Sequence, residues 1–195
     1  MVILHAIMDK NTSGPQYSRM ESNTVNITYR VGWGAADPRS KKQMSEPAKR
    51  VVIHHTAIRS GATPQDCIQQ VTRIQKMHMK DRDFDDIGYN FLVGQNGMLY
   101  EGRGWGIVGA HTKGHNQDSV GIAVMGNFNS NEFFFYDDLP TSAALSSVKR
   151  LLQDGVSRGW LHSNYTIFGH RDLANTECPG DKLYPEIQRL RSDRD

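Results

Sequence analysis

The segment VVIHH ends an apolar run on two histidines, His54 and His55, while GHRDLANTECPG carries His170 and, eight positions later, Cys178. Two imidazoles and a thiolate are a recurrent zinc ligand set, and three protein ligands leave a fourth tetrahedral position for water, as in catalytic rather than structural sites. Spacing alone leaves the choice open. His54 reads equally as a hydrogen-bonded histidine at a strand end, and Cys178 as a small buried hydrophobe. The chain has eight histidines and two cysteines, the second being Cys67, 111 positions before Cys178. Two cysteines make no disulfide framework, so burial of a core has to hold the fold.

Bringing these residues together requires rigid elements. Val51, Val52 and Ile53 are contiguous and β-branched, which predicts a buried strand whose polar end carries His54. YTIFGH predicts a second strand ending at His170, and SVGIAVMGNF a third. In TPQDCIQQVTRIQKMHM, Thr63 is an N-cap, Pro64 takes the first helical position, and Asp66 completes a capping box. Cys67, Val71, Ile74 and His78 then recur at helical spacing, so His78 reads either as a core histidine or as a site residue. Asn96-Gly97, between FLV and MLY, predicts a tight hairpin with positive φ at both residues. A helix follows over 141–160 with Leu145, Val148, Leu151 and Leu152 on one face, and a closing helix over 184–191. Strands and helices interleave without strict alternation, which predicts an α/β fold: a single domain with a central mixed β-sheet flanked by helices. Residues 1–28 are polar and aperiodic and read as a flexible N-terminal arm, leaving residues 29–195 as the domain.

With 195 residues, 37% hydrophobic and 23% charged, the chain suits one globular domain, and a net charge of +2 gives no reason to expect a nucleic acid partner. The run MVILHAIM has no basic residue before it and stops at Asp9-Lys10, a poor export signal and too short for a membrane span. Sequons at Asn11, Asn26 and Asn164 do not decide the compartment.

Taken in order, VVIHHTA, DDIGYNFLVGQNGMLYEGRGW, GAHTKGHNQDSVGIAVMGNF and GHRDLANTECPG resemble the signatures of peptidoglycan recognition proteins, animal relatives of phage and bacterial N-acetylmuramoyl-L-alanine amidases, from Tyr29 to Leu190. The resemblance implies a groove for the stem peptide of peptidoglycan with one zinc ion at its floor, held by His54, His170 and Cys178. It implies a hydrolase that cuts the amide between N-acetylmuramic acid and L-alanine in innate antibacterial defence, acting as a monomer on peptidoglycan and muropeptides. Members that only bind often have serine where Cys178 stands, so a receptor or signalling regulator is the alternative. Tyr89 takes the place of the catalytic tyrosine, and Thr176 that of a lysine in phage relatives. His55, Thr56, His78, Arg82, Asp83, Phe84, Arg103, His111 and Asn116 fall at groove positions. The specificity pattern is a hybrid: Arg103 favours diaminopimelate stems, whereas Asp83 could favour the ammonium of lysine stems. The family's short disulfide has lost its partners, since Gly61 stands opposite Cys67 and Asp85 replaces a further cysteine. Its absence forgoes about 2 to 4 kcal/mol and leaves the expected compartment as cytoplasmic or secreted.

Overall fold

The computed structural model describes residues 25–61, 63–130 and 139–192. The strands are β1 (Ile27–Thr28), β2 (Ala48–His55), β3 (Phe91–Val93), β4 (Leu99–Glu101), β5 (Ser119–Val124) and β6 (Leu161–Gly169); the helices are α1 (Pro64–Asp81), α2 (Ser142–Ser157) and α3 (Tyr184–Ser192). They build the expected mixed sheet, in the order β1-β4-β3-β5-β2-β6. The β3–β4 pair is antiparallel, and the other pairings are parallel.

Both faces of the sheet are covered. Val51, Ile53, Phe91, Val93, Ile122 and Val124 pack with Val148 and Leu151 of α2 and Ile187 of α3, whereas Leu92 and Ala123 pack with Cys67, Val71 and Ile74 of α1. A sheet buried on both faces needs no polar alternation, which explains the unbroken VVI and GIAV runs. Because alternate strand residues share a face, His54 lies two residues beyond Val52, opposite the side taken by Val51 and Ile53. Its register partner in β5 is Ala123.

The helix N-terminus follows its sequence signal. Thr63 accepts from Asp66 N and Asp66 accepts from Thr63 N, with Pro64 in the first turn. The hairpin departs from expectation. Val93 pairs with Leu99, and Gly97 N donates to Gly94 O, so the loop is longer than a two-residue turn. Only Gly97 of the pair has positive φ, at 80°; the Asn96 carboxamide instead accepts from Met98 N at 3.0 Å. One left-handed residue closes this type of loop, and glycine takes that conformation without steric cost.

The proposed start of the domain at residue 29 also shifts. Ile27 and Thr28 form the edge strand β1, parallel to β4, and Ile27 is buried in the core. Two strand residues are too few to give a period, so the polar residues around them set the reading. Residues 1–24 of the proposed arm lie outside the described residues. Among the described residues no helix is long and apolar enough to cross a membrane, and both Cys67 and Cys178 are free.

Candidate metal and peptide site

The polar end of β2 and the turn after β6 meet. His54 is 1% exposed at the end of β2, His170 follows β6, and Cys178 lies on the next turn. Their ligand atoms all lie within 4.8 Å of one another. His54 Nδ1 is 3.7 Å from Cys178 Sγ, and the rings of His54 and His170 are 4.4 Å apart. Tetrahedral zinc with N and S ligands has edges of about 3.3 to 3.7 Å, so small side-chain movements would fit the set to the ion.

The hydrogen bonds behind His54 choose its tautomer. Ser119 Oγ donates to His115 O at 2.5 Å. With that hydrogen committed, the hydroxyl oxygen can only accept from His111 Nε2, 3.4 Å away. His111 Nδ1 is then the acceptor, and His54 Nε2 donates to it at 3.0 Å. His54 Nδ1 is left with its lone pair on the side of Cys178, the form a metal ligand requires. Burial, followed by the neighbouring histidines, holds the His54 pKa well below 6.5. Burial likewise lowers His111 to about 3, so both rings are neutral at physiological pH.

This arrangement depends on a missing side chain. On the face of β5 shared with Ala123, position 121 is glycine, and a Cβ there would meet the His111 ring at 2.4 Å. Gly121→Ala is therefore expected to expel His111 and cost about 1 to 3 kcal/mol. Thermal unfolding of the variant against wild type checks it.

Burial pushes the Cys178 thiol up to about 12, against a hydrogen bond from His55 N at 3.4 Å and the charge of Arg171. A cation facing the sulfur would reverse that balance, since metal binding requires the thiolate. Thr176 Oγ1 accepts from Cys178 N at 3.2 Å, which leaves its own hydrogen available to a ligand. Tyr89 is half-buried, 5.3 Å from the His54 ring and 5.6 Å from His78 between centroids. Burial, then the nearby cysteine, holds its phenol protonated well above the usual 10.

A groove of about 490 Å³ opens over these residues. Among the expected site residues, His54, His55, Thr56, His78, Arg82, Tyr89, His111, His170, Thr176 and Cys178 line it. Four others lie outside the lining. Asp83 is exposed and pairs with Arg39 at 2.6 Å. Phe84 packs on the His78 ring. Asn116 Oδ1 accepts from the backbone of His111 and Thr112. Arg103 donates from Nε to Ile87 O and from Nη1 to Val108 O, at 2.8 and 3.0 Å. Asn129 and Glu177 line the groove although sequence reasoning passed them over. The position of Asn129 just past a buried strand was the available signal.

Both readings of His78 describe part of its environment: it is 3% exposed on the inner face of α1 and also lines the groove. Its Nδ1 accepts from Gly88 N at 2.9 Å, and burial lowers its pKa to about 4. A histidine with a depressed folded pKa contributes its full stability above the unfolded value of about 6.5. That contribution falls as pH drops from there toward 4. The Tm difference between wild type and His78→Gln, measured by thermal unfolding without metal, should narrow from pH 7 to pH 5.

The N-acetylmuramoyl-L-alanine amidase family matches residues 44–181. Peptidoglycan-recognition protein SC2 of Drosophila simulans is 42% identical over 164 residues, covering 84% of this chain and 85% of that protein. The chain belongs to the peptidoglycan recognition protein family. Wild-type Drosophila PGRP-LB superposes with a TM-score of 0.79 at 36% identity, over 85% of this chain and 94% of that one. Peptidoglycan recognition protein LE in complex with tracheal cytotoxin, a monomeric diaminopimelic acid-type peptidoglycan, gives 0.77 at 39% identity, over 85% and 93%. Within this recognition-protein fold, the His54–His170–Cys178 cluster lies at the polar ends of parallel strands, where ligand sites of open α/β sheets form.

Proposed function

We propose that this peptidoglycan recognition protein is a zinc-dependent hydrolase of the amide joining N-acetylmuramic acid to L-alanine. The observation that carries the reading is the convergence of His54, His170 and Cys178 within 4.8 Å on the groove floor. Zinc, when bound, supplies a Lewis acid for the scissile carbonyl and makes water acidic enough to ionise near neutral pH.

The chain's own groups supply the rest. His111 and Ser119 hold His54 in the ligand tautomer. The Tyr89 phenol and the Thr176 hydroxyl are neutral donors placed to take up negative charge developing on the carbonyl oxygen. Arg82 lines the groove and is a cation suited to the free carboxylates of a stem peptide. The binding of tracheal cytotoxin by a structural relative supports a diaminopimelate-type ligand. Asp83, the residue that could have favoured lysine, is engaged by Arg39, so diaminopimelate stems are the preferred substrate in this reading.

The test is product analysis by mass spectrometry on diaminopimelate-type and lysine-type muropeptides. The zinc-loaded protein should release peptide faster from the first, stop on chelation, and recover when zinc is returned. Cleavage that survives chelation would remove the metal from the account.

A further inference from the structure

The two candidate imidazole ligands are held differently. A ligating histidine is normally aimed by a hydrogen bond to its second ring nitrogen. His54 has such a bond, from Nε2 to His111 Nδ1 at 3.0 Å. Among the described residues no hydrogen bond reaches the His170 ring, although it lies 4.4 Å from the ring of His54. The aim of His170 therefore has to come from its main chain.

That main chain is tied on every side. Gly169, the residue before it, stands opposite Ile53 in the pairing of β6 with β2, one position short of His54. Arg171 N, the next amide, donates to Cys178 O at 2.8 Å, and Leu173 N and Ala174 N both donate to His170 O at 3.1 Å. Asp172 closes the turn: its Oδ2 accepts from Gly169 N at 2.9 Å, so the carboxylate bridges the two residues that flank the His170–Arg171 pair. Helix α3 fixes the carboxylate in turn. Tyr184 Oη donates to Oδ1 at 2.5 Å and Arg191 Nη2 to Oδ2 at 2.9 Å, while Arg191 Nε donates to Ile167 O of β6 at 2.7 Å. One arginine thus grips both the strand and the turn that follows it.

We propose that Asp172 is a positioning residue for the metal site: its carboxylate, held by α3, sets the turn that aims His170. The inference rests on the zinc reading above. Asp172 lies outside the ligand cluster and acts through the backbone of its neighbours. Without the carboxylate, Gly169 N loses its acceptor and α3 loses its hold on the turn. Ligands have to stay within about 0.5 Å of their working geometry, and His170 has no side-chain partner to compensate. The Asp172–Arg191 pair is partly solvated, which limits what it adds to global stability. Its loss should be felt at the metal more than in folding.

Zinc titration of the full-length, metal-free protein in competition with a chromophoric chelator tests this, at a temperature where circular dichroism shows each variant folded. Asp172→Ala should weaken zinc binding by about ten- to a hundredfold. Asp172→Asn should stay within about threefold of wild type, because its carboxamide oxygen can accept from Gly169 N and Arg191 while its NH2 group donates to Tyr184 Oη. Cobalt loading gives a second readout: the visible spectrum of Asp172→Ala should depart from wild type, and that of Asp172→Asn should match it. Should Asp172→Ala not fold, the double variant Tyr184→Phe with Arg191→Gln, which removes both α3 donors, should show the loss in its place. Unchanged zinc affinity in these variants, or an equal loss in Asp172→Asn, would overturn the positioning role. A wild type that takes up no zinc would overturn the zinc reading itself.

Discussion

Cys178→Ser is expected to abolish cleavage while leaving muropeptide binding largely intact. The sulfur is the only candidate ligand that carries a negative charge when it binds a cation; the other two, His54 and His170, are imidazoles whose pKa values burial lowers. A serine hydroxyl keeps its proton near pH 7 and is a poor zinc ligand, so both zinc affinity and the chemistry that depends on it should collapse. The fold should tolerate the change, because serine is smaller than cysteine and the other groove residues stay in place. Zinc content and peptide release should fall below detection, and affinity for a muropeptide should change by less than about threefold. If activity persisted in the serine variant, the ligand assignment would be wrong.

Asp86→Ala should be among the most destabilising single changes in the chain. Its carboxylate, 3% exposed, accepts from Arg30 Nη1 at 2.8 Å, Gln75 Nε2 at 2.8 Å and its neighbour's Ile87 N at 2.8 Å. Arg30 also donates to Gly102 O and Ala36 O, both at 2.7 Å, so one ion pair joins the stretch after β1, α1, the residue that follows β4 and the stretch leading into Tyr89. Removing the carboxylate leaves a mostly buried guanidinium without its counter-ion. The cost is about 3 to 5 kcal/mol, or roughly 10 °C in Tm for a domain of this size. Thermal unfolding measures it. Adding Arg30→Met to Asp86→Ala should recover part of the loss, because removing both charges costs less than orphaning one.

The contrast between these residues shows what a sequence makes legible. The strand through Val51–Ile53 and the capping box of Thr63 and Asp66 are local events, written in contiguous β-branching and in a three-residue spacing, and both formed as read. Motif resemblance located the candidate ligands, because the His-His pair and the Gly-His segment with its cysteine eight positions on are themselves short stretches. The Arg30–Asp86 pair spans 56 positions and the His54–His111 bond 57, and no local pattern announces either. β1 has only two residues, too few to show a period. Asp83 follows the end of α1 with its backbone at φ 53°, and its carboxylate meets Arg39, a pairing 44 positions apart that no local pattern signals. Arg103 carries the right charge, but two backbone carbonyls hold it away from the lining.

The central claim is hydrolysis at one bond, and the mass of the products from a muramyl tripeptide tests it most directly. The zinc-loaded protein should yield N-acetylmuramic acid and a free tripeptide beginning with L-alanine, their masses summing to that of the substrate plus one water. Intact substrate after prolonged incubation with protein shown to hold one zinc per chain would contradict the account and leave a binding protein in its place.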